Sequence, residues 1–169
     1  GKPENIFYIL AHKLYPNDKA KREDFIAWRR RAPRVVQKKL NKTELTLQDI
    51  YTADGVLSFN EYDVQTLINK ELETETGNLI SNPSITELIN QKRREGYNIA
   101  FISDMYIDRL TLRKILEKQC QIKSEDCVFV SCEVQARKDS GAIYQYVKQK
   151  INPQIWEHYG DNQYSDVKI

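Results

Sequence analysis

The chain has three cysteines, Cys120, Cys127 and Cys132, and two histidines, His12 and His158. No Cys-x-x-Cys spacing occurs and no histidine pair stands near the thiols, so a zinc site has too few ligands to build from. Reduced thiols in a cytoplasmic setting are the expectation. No apolar run approaches the length of a membrane span, and no basic-apolar-small segment opens the chain, so neither a span nor a signal peptide is expected. No Gly-x-Gly-x-x-Gly follows an apolar run, which argues against a dinucleotide-binding domain. Internal repeats and low-complexity tracts are also lacking. A net charge of +2 singles out no partner, while 40% hydrophobic residues over 169 positions suffice for one domain, or a compact core with a small insert.

What is present centres on Tyr97-Asn98-Ile99-Ala100-Phe101-Ile102-Ser103-Asp104-Met105-Tyr106. Gly96 ends a helical pattern, an apolar run follows, and the run stops on Ser103-Asp104 before another helix that starts near Asp108. Such a run reads as a buried strand of a parallel sheet. Ligands of open α/β sheets collect at the carboxyl ends of strands, where a hydroxyl and a carboxylate are placed for chemistry. Ser103 and Asp104 could equally cap the following helix. Cys127-Val128-Phe129-Val130-Ser131 is a second apolar run, followed by Lys138 and a helix over about 139–150. Lys138 therefore stands near a helix N-terminus, where anions are favoured. A third run, Ile155-Trp156-Glu157-His158-Tyr159, leads into Gly160-Asp161 and on to Asp166. Strand, helix, strand, helix, strand is the pattern of a parallel α/β layer.

Residues 1–80 read as helical. Ile6, Ile9, Leu10 and Leu14 share one face after Pro3, and Tyr15-Pro16-Asn17-Asp18 breaks that helix. A second helix starts near Arg22 and carries Phe25, Ile26, Trp28 and Arg29. Pro33 is expected to kink or end it. Thr46-Leu47-Gln48-Asp49-Ile50-Tyr51 reads as a short helix capped by Thr46 or the residues around it. The next, marked by Val64, Leu67, Ile68 and Leu72, is entered through Ser58 or Asn60 and ended by Gly77. Pro83 opens a helix to Arg94. The region from Lys19 to Lys42 is basic, but the acidic residues lie elsewhere, notably Glu71, Glu73 and Glu75, so a solvated helix face is the expectation and nucleic acid is not.

The set Ser103, Lys138, then Gly160-Asp161 and Asp166 on successive strands resembles motifs two to four of the haloacid dehalogenase-like (HAD) phosphohydrolases. The wording around Ser103 and Asp161 is similar to a bacterial subgroup of predicted hydrolases encoded near, or fused to, glycosyltransferases of surface-polysaccharide biosynthesis. The resemblance implies an α/β fold, a HAD-like Rossmannoid three-layer parallel sheet with an N-terminal helical cap segment, divided into residues 1–80 (cap-like) and 81–169 (core with motifs two to four). It implies Ser103 and Lys138 as catalytic, phosphate-holding residues. Mg²⁺ would be held by Asp161 and Asp166, and Asp104 and Arg29 are possible substrate or cap residues. Arg29 is singled out because the subgroup has an arginine four residues after the equivalent of Phe25. The expected partners are a phosphorylated small molecule or sugar phosphate and a glycosyltransferase domain. The chemistry is coherent: a phosphoryl group needs hydroxyl and ammonium donors, and Mg²⁺ needs carboxylate oxygens.

The family's first motif, an apolar strand ending in Asp-x-Asp that supplies the nucleophile, has no counterpart here. Gly1-Lys2-Pro3-Glu4 looks like the segment just after it, and the end at Ile169 looks premature for the family. The motif-one strand would lie between the strands near Ile99–Ile102 and Ile155–Tyr159, so another strand is expected to fill that place. The alternative is a non-catalytic module that binds phosphate or a partner within a polysaccharide-assembly protein. A receiver-type signalling domain shares the sheet and the late lysine, but has no large helical segment ahead of the second strand.

Overall fold

The computed structural model describes residues 5–119, 122–160, 164 and 166. The chain divides into two compact units, Gly1–Ile80 and Ser81–Ile169. It is mixed α/β, mostly helical, and among the described residues its one sheet is a parallel pair of strands.

Unit one contains α1 (Asn5–Leu14), α2 (Lys19–Leu40), α3 (Leu47–Ile50), a 3₁₀ turn (Val56–Phe59) and α4 (Val64–Asn78). Local caps fix the helix starts. The Asp18 carboxylate accepts the Lys21 N–H at 2.9 Å, Thr46 and Asp49 form a reciprocal capping box, and Asp63 accepts the Thr66 N–H at 2.8 Å. The core is aromatic: Tyr15, Phe25, Trp28, Tyr51 and Phe59 are buried, with Phe25 and Phe59 edge-to-face at 5.2 Å between centroids. Pro33 does not end α2, which runs on to Leu40. Ala32 and Val36 on either side are fully buried, and that packing outweighs one lost helical hydrogen bond. The fourth helix is capped by Asp63, not by Ser58 or Asn60, because residues 56–59 instead wind into the turn that buries Phe59.

Unit two contains α5 (Pro83–Arg94), β1 (Ala100–Ser103), α6 (Arg109–Gln119), β2 (Cys127–Val130), α7 (Ser131–Val134) and α8 (Ala142–Ile151). The strands pair in register Ala100↔Cys127 to Ser103↔Val130. Leu112 of α6 packs with Val128, Val130 and Cys132 on one face; Ile143, Tyr144 and Val147 of α8 meet Ile102, Phe129 and Trp156 on the other. Helices on both faces are what a parallel pair requires. The expected strand at Ile155–Tyr159 is not formed: the segment joins no ladder. It is held by side chains instead, Trp156 on the α8 cluster and Glu157 on Lys92 at 2.7 Å and Tyr97 at 2.5 Å. Lys92, with Tyr97 and Tyr159, holds the Glu157 carboxyl well below its ordinary range, at about 2.

Candidate anion site at the end of β1

Two turns of opposite origin meet beyond Ser103. The first is the link from β1 to α6, where the cap is neither Ser103 nor Asp104. The Asp108 carboxylate accepts the Thr111 N–H at 2.9 Å and its hydroxyl at 2.7 Å, so the acid nearest the helix does the capping. That leaves the two upstream residues for other work. Ser103 is half-buried, and its hydroxyl makes no hydrogen bond among the described residues. Asp104 reaches across to the second turn.

That second turn precedes α8. The sequence places the helix start near Asp139, but the structure places it at Ala142, because Gly141 stands at the boundary in a left-handed conformation at φ 76°. Residues 137–141 are therefore a loop, closed by the Gly141 N–H donating to the Lys138 carbonyl at 2.9 Å. The loop presents the Lys138 N–H to both oxygens of Asp104, at 3.2 and 3.1 Å. Asp104 is exposed, yet the protein wall beside it desolvates the carboxyl and raises its pKa, against the opposing pull of the Lys138 N–H and ammonium.

The Lys138 side chain runs inward. Its Nζ donates to Asp166 Oδ1 at 2.9 Å, and both side chains are largely buried, 17% and 7% exposed. Tyr144, one turn into α8, donates its hydroxyl to the same oxygen at 3.0 Å. Burial, then the bond to Asp166, pushes that phenol above its ordinary range. His158 stacks edge-on against Tyr144 at 5.1 Å, with Nε2 3.5 Å from Asp166 Oδ1 and no hydrogen-bond partner among the described residues. Gly160 closes the back of the site. A Cβ there would overlap the Asp166 carboxylate, so only glycine lets the acid sit so close.

No protein-family model matches the chain, and no curated protein matches it in sequence.

The structure thus brings Asp104, Lys138 and Asp166 together at the end of β1, where Ser103 also lies. Asp161 is outside the described residues. Among the described residues no three acidic, histidine or cysteine side chains converge to hold a metal ion. Arg29 is elsewhere, in the interior of unit one. It is 1% exposed and gives a two-pronged bond to Glu71, Nε to Oε2 at 2.8 Å and a terminal nitrogen to Oε1 at 2.6 Å. Sequence reasoning missed Tyr144 and His158 as members of the site. The usable signal for Tyr144 was a hydroxyl within a buried stripe, since such a group needs a polar partner. His158 carried no comparable signal.

Among the described residues no helix is long and apolar enough to cross a membrane.

Proposed function

We propose that unit two is the phosphate-binding core of a haloacid dehalogenase-like phosphohydrolase acting on a phosphorylated small molecule or sugar phosphate. The observation that carries this reading is the convergence of Ser103, Asp104, Lys138 and Asp166 at one strand end, although they are scattered from β1 to beyond α8. An ammonium has three donors, and Lys138 Nζ uses one on Asp166 among the described residues. The remaining donors and the Ser103 hydroxyl suit phosphate oxygens. In this reading Asp161 and Asp166 would hold Mg²⁺. Carboxylate oxygens match its hard shell, and the negative charge of Asp166, balanced here by Lys138, has the right sign. The bound ion would supply Lewis-acid stabilisation of a phosphoryl oxygen. In this reading unit one is the cap-like segment, and the chain works beside a glycosyltransferase domain in polysaccharide assembly.

The fuller three-layer sheet belongs to the same proposal. Strand alternation turns the amides and carbonyls of Ala100 and Ile102 away from β2, and that edge of β1 has no ladder partner among the described residues. A strand bearing an Asp-x-Asp nucleophile would pair there. The Ala100 and Ile102 amides of the 169-residue chain should then exchange with solvent much faster than those of β2 residues facing β1, and slow when such a strand is supplied as an upstream extension. Equal protection without the extension counts against the open edge.

A second reading, a module that binds phosphate without turnover, is favoured by one feature of this chain. Asp104 and Asp166, its two described acids at the site, are both tied to Lys138. Titration with inorganic phosphate and an aryl-phosphate assay with Mg²⁺ test both readings. The expected outcome is phosphate binding lost in the Ser103→Ala/Lys138→Ala variant, and no turnover by the parent. Unchanged binding by the double variant removes the site assignment. Turnover abolished by Asp161→Ala would show that this chain has a nucleophile of its own.

A further inference from the structure

The other edge of the sheet also has no ladder partner among the described residues, and it carries a different chemistry from the anion site. In β2 the ladder groups of Cys127 and Phe129 face β1, so alternation points the N–H and C=O of Val128 outward. Val128 as a whole is 5% exposed, and its backbone groups have no partner among the described residues. Val128 lines a groove of about 410 Å³ together with Arg109, Leu110, Arg113, Glu125 and Phe129. Leu110 is 64% exposed on the groove's rim. Unmet strand groups beside an exposed leucine mark a place where another strand adds.

The charges on the groove choose the occupant. Glu125 stands just before the start of β2. Arg109 stands beside its finish, its N–H donating to Glu133 of α7 at 2.6 Å, because α6 runs back along the strand. Arg113 is turned inward at the start of the strand, onto the carbonyls of Asp126 and Lys123. Glu125 accepts the Ser124 hydroxyl at 3.0 Å, but the ion pairs of the two outer charges are loose: Glu125 meets Lys123 at 4.0 Å and Arg109 meets Glu133 at 3.9 Å, all four charged side chains exposed. Opposite charges at opposite ends of one strand edge are self-complementary under a two-fold axis. When two copies of the edge run antiparallel, each Glu125 comes against the Arg109 of the other.

We propose that β2 is a self-association edge on which a second copy of this chain pairs antiparallel, with the two Val128 residues exchanging N–H···O=C bonds at the axis. The two-stranded sheet becomes four-stranded, in the order β1-β2-β2-β1. That extension brings it into the range of strand numbers that sustain a stable sheet, and it covers Leu110. The phosphate reading is not needed for this pairing.

Sedimentation of the 169-residue chain from about 1 μM to about 1 mM is the test. The expected result is a concentration-dependent dimer. Arg109→Glu and Glu125→Arg should each weaken it by about tenfold or more, since each reversal sets two like-charge pairs across the axis. The double swap Arg109→Glu/Glu125→Arg should restore it. Both positions are exposed, and circular dichroism checks that each variant retains the parent fold. A chain that stays monomeric to about 1 mM overturns the proposal. So does a dimer indifferent to the single reversals, or a double swap no better than the singles. A monomer whose edge instead captures an unrelated extended peptide also counts against self-pairing.

Discussion

Replacing Glu71 by alanine should destabilise unit one by about 3–5 kcal/mol, a large share of what a domain of this size has. Glu71 is 0% exposed and takes both prongs of Arg29. It also accepts the Tyr51 hydroxyl at 2.8 Å, and the Phe7 ring lies 4.6 Å from the guanidinium carbon. Without the carboxylate the buried guanidinium loses its Glu71 counter-charge, and the Tyr51 hydroxyl loses Glu71 as an acceptor. The cost arises from the group left behind more than from the bond removed. Replacing both partners, Arg29→Leu with Glu71→Leu, should therefore cost much less than the two single changes summed. Urea unfolding followed by tryptophan fluorescence reads the effect, because Trp28 stacks on Tyr51 at 5.4 Å within the same core. A single variant within about 1 kcal/mol of the parent would mean that the pair is open to water in solution.

Gly160→Ala should unseat Asp166. The backbone at Gly160 is not in a region closed to alanine; the methyl overlaps the Asp166 carboxylate. Once the acid moves, the buried Tyr144 hydroxyl loses the Asp166 carboxylate as its acceptor, which costs about 1–3 kcal/mol. Lys138 is released at the same time. An ammonium no longer neutralised by Asp166 meets an anion with its full charge, so metal-free phosphate binding should tighten by about tenfold, or ~1.4 kcal/mol. Melting curves and phosphate titrations of Gly160→Ala beside Asp166→Asn give the two readouts. A Gly160→Ala protein that melts like the parent would place Asp166 away from Gly160 in solution.

Much of the framework was legible because it rests on local signals. The two apolar runs became β1 and β2 within a residue or so of their expected bounds, and of Thr46 and its neighbours it is Thr46 that caps α3. Pro33 does not end α2, because a residue's intrinsic cost is set against packing that a sequence does not display; Ala32 and Val36 are buried on either side of it. The run Ile155–Tyr159 misled for the opposite reason. Its composition suits a strand, but a strand exists only when a neighbour accepts its backbone, and that neighbour is a long-range fact. The order Ser103, Lys138, Asp166 could be read in the chain. The grip of Asp104 on the Lys138 N–H could not, since it depends on α8 starting at Ala142 and freeing the loop before it.

The two units also differ in how their parts find one another during synthesis. Caps such as Asp18, Thr46 and Asp63 act within three residues of their targets, so the helices of unit one can nucleate as they emerge. The sheet of unit two cannot form until Cys127 is available to Ala100, across the whole crossover through α6. Closing that loop costs entropy before any contact repays it. Vectorial translation therefore sets an order: the helical unit consolidates first, and the strand edges of unit two are the last apolar surface to be covered and the most exposed to aggregation on the way.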